Sequence, residues 1–123
     1  MIKKKKIKII KNNKTKIIKF VNRNQLPFKN FGEIYFSTVT KNGIKAWHLH
    51  KEATLNYVCV KGAVKLVLFD DRSSSSTKGK YQEFILSPKN YFLIISSYPV
   101  FVWSKIRFCD WFFKTTILFI ISM

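Results

Sequence analysis

The sequence predicts an all-β domain, and three observations carry that expectation. Short runs of β-branched and aromatic residues recur about every 8–12 residues. Turn-forming residues separate them. No long segment repeats its apolar positions with the 3.6-residue period of an amphipathic helix. The chain has 123 residues, enough for one core.

The elements follow in order. Residues 2–20 interleave isoleucine with lysine and predict short edge strands, because lysine protects a sheet edge from unwanted pairing. Residues 22–32 carry Pro27 and Gly32 and predict a loop. Residues 33–39 are β-branched and aromatic and predict a strand. Lys41-Asn42-Gly43 is a turn signal, since Asn and Gly accept positive φ. Strands are expected over 44–50, 53–60 and 63–69, with a turn at Lys61-Gly62. Residues 70–80, centred on Ser73-Ser74-Ser75-Ser76, predict a loop. Strands follow over 81–86, 91–96 and 100–106, with Ser87-Pro88-Lys89-Asn90 and residues 97–99 as breaks. The arm or edge strands of residues 1–30 are thus expected to precede a single barrel domain over 31–123.

The formal net charge is +17. Residues 1–32 hold 11 Lys or Arg and no acid, while residues 33–123 hold 12 Lys or Arg and 6 acids. Such a surface attracts polyanions. An AT-rich coding bias explains the lysines equally well. A nucleic-acid module would use the basic arm and stack bases on Tyr35, Phe36 or Trp47. Those aromatics alternate like core residues, and no RNA-binding fingerprint is present, so nucleic acid is not the expected partner. Cys59 and Cys109 make no disulfide framework, and Cys59 reads as a core residue. No secretory signal is recognisable. The apolar run 111–123 is shorter than the roughly 20 residues of a spanning helix and contains Lys114. The expectation is therefore a cytoplasmic protein with no membrane span. Three readings of residues 97–123 stay open: a natural strand, an exposed interface, or the product of a frameshifted or truncated gene.

His48 and His50 are the only histidines. Residues two apart on a strand share a face, so both imidazoles are expected to enter one cavity. Two imidazoles can begin a metal set, or one can act as a general base near neutral pH. The order Gly43, His48, His50, Glu52, Gly62 partly resembles the first motif of metal cupins. Glu52 comes too soon after His50, however, and no later histidine completes the set.

Four pieces in order carry a closer likeness. They are Lys45-Ala46-Trp47-His48, Val60-Lys61-Gly62, Asp70-Asp71-Arg72 with Ser76-Thr77-Lys78-Gly79, and Leu86-Ser87-Pro88-Lys89-Asn90. The chain resembles the dTDP-4-dehydrorhamnose 3,5-epimerase family and its short sugar-nucleotide relatives. That family has Arg-Gly-Leu-His at the first piece, a glycine turn at the second, Asp-Ile-Arg and Ser-Pro-Thr-Phe-Gly at the third, and Leu-Ser-x-x-Asn at the fourth.

The resemblance implies a cupin-type jelly-roll β-barrel, a homodimer, no cofactor and no metal. It implies a dTDP-linked 4-keto-6-deoxy sugar as substrate, epimerised at C3 and C5 for surface polysaccharide synthesis. His48 would be the catalytic base. Lys45 would stand in for the arginine that contacts the nucleotide phosphates, as a point charge without the bidentate fork. His50, Asn56 and Arg72 complete the expected substrate-binding set, with two alternatives open: Asn56 holds the strand pair or a sugar hydroxyl, and Arg72 is structural or phosphate-adjacent. The strand after the base lacks the family's lysine for the keto oxygen, and no tyrosine follows residue 100 to serve as the acid. An alternative therefore stays open: an inactive cupin that only binds a sugar nucleotide.

Overall fold

The computed structural model describes residues 2–21, 30–40, 43–50, 53–89, 91–96, 102–108 and 114–122. Among them there is no helix. The strands are β1 (Ile2–Lys6), β2 (Lys8–Lys11), β3 (Lys16–Lys19), β4 (Phe31–Thr40), β5 (Ile44–His50), β6 (Thr54–Lys61), β7 (Val64–Asp70), β8 (Tyr81–Leu86), β9 (Phe92–Ser96), β10 (Val102–Phe108) and β11 (Lys114–Ser122). They form a five-stranded sheet in the order β1-β9-β6-β11-β4 and a four-stranded sheet in the order β5-β10-β7-β8. A separate hairpin joins β2 to β3. All pairings are antiparallel. The crossovers between the two sheets make this an all-β jelly roll.

The core lies between the two sheets. Alternation along β6 turns Leu55, Tyr57 and Cys59 inward, and alternation along β7 turns Val64, Leu66 and Leu68 to meet them. Val39, Leu86, Ile94 and Ile117 complete the cluster, with Tyr35 and Phe84 packed against it. Truncating a fully buried leucine such as Leu66 would cost about 2–5 kcal/mol. The β6–β7 connection turns through Gly62 at φ 77°, a conformation that costs a side-chain-bearing residue. Gly43 donates its backbone N–H to the Thr40 carbonyl at 2.8 Å. A Cβ there would lie 2.8 Å from that carbonyl oxygen, so only glycine fits unstrained.

A second apolar cluster covers the outer face of the five-stranded sheet. Ile7, Val58, Tyr91 and Ile95 are buried there, with Ile18, Phe20 and Val21 packed against them. The N-terminal segment is therefore part of the packed structure. β1 pairs with β9 at the sheet edge, and Ile7 donates its N–H to the Tyr91 carbonyl at 3.1 Å.

Within the closing segment, residues 114–122 form a strand, β11. β11 hydrogen-bonds to β4 on one side and to β6 on the other. It is an inner strand, and a near-continuous apolar run suits that position. The expected turn residues Lys41, Asn42 and Asn90, the loop residue Pro27, and Glu52, Cys109 and Asp110 lie outside the described residues.

Candidate active site

The site is best built from the register of the four-stranded sheet, because directly opposed residues of an antiparallel pair share a face. β10 runs between β5 and β7. One row across the sheet is His48, Ser104, Leu68 and Gln82. The next row is His50, Val102 and Asp70, and it continues to Lys80, whose carbonyl accepts the Asp70 N–H at 3.1 Å. In the other direction come Ile106, Leu66 and Phe84, then Phe108, Val64 and Leu86. Leu66, Leu68 and Val64 face the core, so these rows lie on the inner face. That face is apolar toward the β6–β7 turn and polar at the opposite end, and both histidine positions fall in the polar half.

β5 is an edge strand of its sheet, which leaves His48 exposed. A register shift between Ser104 and Ile106 brings Lys45 opposite Ile106. Regular alternation from His48 would have selected Ala46 and Ile44, so this irregularity puts the lysine on the inner row. The Lys45 Nζ donates to the Ser37 Oγ. This bond links β5 of one sheet to β4 of the other.

Tyr35 was not among the residues expected at the site. It lies two positions before Ser37 on β4, on the face that carries Val39 into the core, and it packs against that core. β4 and β5 run antiparallel through the Thr40–Gly43 turn. Moving from the Ser37–Lys45 bond away from the turn therefore leads to Tyr35 on one sheet and toward His48 on the other. Burial, followed by the nearby Glu33 charge, pushes the Tyr35 hydroxyl up from its ordinary value. Its alternation with Ser37 and Val39 was the available signal, but a tyrosine on an aromatic strand reads first as core.

The structure does not bring Asn56 to this site. Its register partner is Ile95, a member of the outer cluster, whereas its neighbour Tyr57 pairs with Ile94 in the inner cluster. Strand parity therefore places Asn56, 1% exposed, on the outer face beneath the N-terminal segment. The expectation that it contacts substrate is corrected on that ground.

Arg72 is also committed elsewhere. Its Nε donates to Asp70 Oδ1 at 2.9 Å and its Nη2 to Asp70 Oδ2 at 2.6 Å. The Arg72 backbone N–H, the Ser75 hydroxyl and the Thr77 hydroxyl also donate to this carboxylate at 3.0, 2.7 and 2.6 Å. The bond from the Arg72 side chain does most to hold the Asp70 carboxyl well below the usual carboxylate range, against the opposing effect of burial. Arg72 organises the β7–β8 loop rather than offering its fork to a ligand. A small cavity lined by Leu68, Asp70, Thr77, Lys80, Tyr81 and Gln82 opens at this end.

Cys59 is buried, and burial pushes its thiol up to about 11, so it is a core residue and not a nucleophile. Among the described residues no group of three or more His, Cys, Asp or Glu side chains comes together. Among them also, no helix is long and apolar enough to cross a membrane.

Residues 1–112 match the family described as FdtA, WxcM-like, C-terminal. The chain belongs to the FdtA/WxcM-like family. Its fold is shared with sugar-nucleotide epimerases and isomerases of known structure. A dTDP sugar isomerase from Desulfovibrio desulfuricans G20 superposes with a TM-score of 0.88 at 25% identity, over 99% of this chain and 76% of that one. A dTDP-6-deoxy-D-glucose-3,5-epimerase from Legionella pneumophila, solved with dTDP-4-keto-L-rhamnose, superposes with a TM-score of 0.85 at 17% identity, over 98% and 66%. A probable low-salt glycan biosynthesis epimerase, Agl13 of Haloferax volcanii, is 33% identical over 57 residues. That match covers 46% of this chain and about a third (36%) of the relative's length.

Proposed function

We propose that this FdtA/WxcM-like chain binds a dTDP-linked 4-keto-6-deoxyhexose in the polar half of the jelly roll and moves protons on the carbons beside the ketone. The observation that carries the reading is an exposed histidine, His48, on an inner row that joins it to Gln82 and stands beside His50. A C–H next to a carbonyl is acidic enough for an imidazole to remove. The resulting enolate needs a cation or hydrogen-bond donor at its oxygen. Tyr35, on the facing sheet, and Lys45, one row nearer the β6–β7 turn than His48, are the groups assigned to proton return and to ligand charge.

Proton return to the opposite face gives epimerisation at C3 and C5, the reaction implied by the family likeness. Tyr35 comes from the other sheet, so it is the group proposed to supply a proton from the side opposite His48. A second reading has its own support. Positions 48 and 50 share a face of one strand, so a base and an acid there would act on the same side of the sugar. Moving the C3 proton to C4 on one side, while the hydroxyl proton passes from O3 to O4, relocates the carbonyl, and the Desulfovibrio neighbour is described as an isomerase. The protein is proposed to work as a cytoplasmic homodimer in glycan synthesis.

The test is incubation with dTDP-4-keto-6-deoxyglucose and identification of the product by NMR. Inverted C3 or C5 supports epimerisation, and a carbonyl at C3 supports isomerisation. Tight binding with unchanged substrate would leave a sugar-nucleotide binder. Failure to bind dTDP at all would remove the proposal.

A further inference from the structure

The largest feature that the proposed chemistry leaves unused is the charge of the N-terminal segment, and the structure gives it a shape. β2 and β3 pair Lys8 with Lys19, Ile9 with Ile18, Ile10 with Ile17 and Lys11 with Lys16. The tip is closed by Asn12, whose Oδ1 accepts the Lys14 and Thr15 backbone N–H groups at 2.9 and 2.8 Å. The Asn12 N–H donates back to the Thr15 carbonyl at 2.9 Å. The hairpin is thus an ordered element with two distinct faces.

Ile18 packs against the outer cluster of the five-stranded sheet. Alternation then turns the Ile10–Ile17 pair away from the body, in company with Lys8 and Lys19. Ile10 and Ile17 are 43% and 54% exposed, Ile9 is 41% exposed, and Ile18 is the hairpin isoleucine that packs on the body. Lys8, Lys11, Lys14, Lys16 and Lys19 are all exposed, and no acid occurs before Glu33. The result is a β-branched apolar pair ringed by cations, on the side of the molecule opposite the inner face that holds His48.

We infer that this hairpin docks the protein on an anionic lipid surface. Cations concentrate the element at negative headgroups, and the isoleucine pair enters the interface, where water-exposed apolar area is removed. Nucleic acid would use the same cations on its phosphates, but it gives the exposed isoleucine pair nothing to enter, and single strands are held by stacking on aromatic side chains. Residues 1–19 contain no aromatic residue. Docking through the outer face leaves the polar end of the interior open to a soluble ligand, so the inference stands whether or not the catalytic reading does.

The experiment is sedimentation of the full chain with vesicles of phosphatidylcholine alone and of phosphatidylcholine with phosphatidylglycerol at about 70:30. It is repeated with K8Q/K11Q/K16Q/K19Q and with I10S/I17S, and circular dichroism confirms that each variant is folded. Binding should require phosphatidylglycerol and weaken as salt shortens the reach of the charges. The lysine variant should bind at least about tenfold less well, since each cation near an anionic surface contributes severalfold. The isoleucine variant should lose vesicle binding while any binding to a DNA duplex stays unchanged. Equal binding to both vesicle types, or none to either, would overturn the inference. So would an isoleucine variant that binds vesicles as well as the wild type, because the hairpin would then be a general polyanion patch. If a variant fails to fold, the lipid and salt dependence of the wild type decides alone.

Discussion

The β5 strand and the β7–β8 loop stand on opposite edges of the four-stranded sheet, and both carry motif residues, yet they spend their polar groups differently. On β5, His48 is exposed on an edge strand, and Lys45 reaches across to the other sheet. In the loop, Asp70 is 3% exposed in its side chain and is saturated by Arg72, Ser75 and Thr77. The first arrangement leaves groups available to a ligand. The second consumes them to fix a serine-rich segment that has little apolar area of its own. A polar motif is therefore not a site until its partners are known. The same pair of residues, Asp and Arg, would be a binding device if either faced outward alone.

The comparison can be broken at the loop first, where the expected effect is largest. Asp70→Ala should lower stability by about 2–4 kcal/mol, since it strands a partly buried guanidinium and two hydroxyls. Urea denaturation would measure it. The sign with pH follows from the depressed native carboxyl. Its contribution is fully present above the unfolded value of about 3.9 and fades as pH falls from there toward the lower native value. The gap between wild type and Asp70→Ala should therefore be flat from neutral pH to about 5 and narrow below 4. A gap of the same size at all pH values would contradict the assigned role.

The β5 side is sharpened by two smaller effects. Tyr35→Phe should slow turnover of the keto sugar by about tenfold or more while dTDP binding holds, because only the hydroxyl is removed. Steady-state kinetics beside calorimetric titration with dTDP would separate the two. Lys45→Ala should weaken dTDP binding by about fivefold to tenfold, as expected for one charge-assisted contact, and the loss should shrink in high salt. A fall in binding with Tyr35→Phe, or none with Lys45→Ala, would exchange their roles.

Much of the fold was legible because its signals are local. Residues 81–86 were expected as a strand and form β8, and the turn expected at Lys61-Gly62 is made, with Gly62 at φ 77°. The closing segment was not legible. Its apolar run suits an inner strand, but only the pairing with β4 and β6 shows that it has two neighbours. Parity along a single strand was legible, since positions 48 and 50 oppose Ser104 and Val102 on one face of the sheet. Asn56 was misplaced because a sequence shows that neighbours alternate without showing which set faces inward. Lys45 depends on a register shift, and Tyr35 on a strand from the other sheet. Arg72 was read as structural or phosphate-adjacent, and its side-chain bonds to Asp70, two residues earlier, favour the structural role.

The polar half of the interior is proposed as a proton-transfer site with His48 as base. Solvent deuterium incorporation into dTDP-4-keto-6-deoxyglucose tests it most directly, because exchange needs only proton removal and a stabilised enolate. The account predicts label at a carbon beside the ketone with the wild type, and its loss in a folded His48→Ala variant. Label that persists in that variant, or no label from folded wild type that binds dTDP, would contradict it.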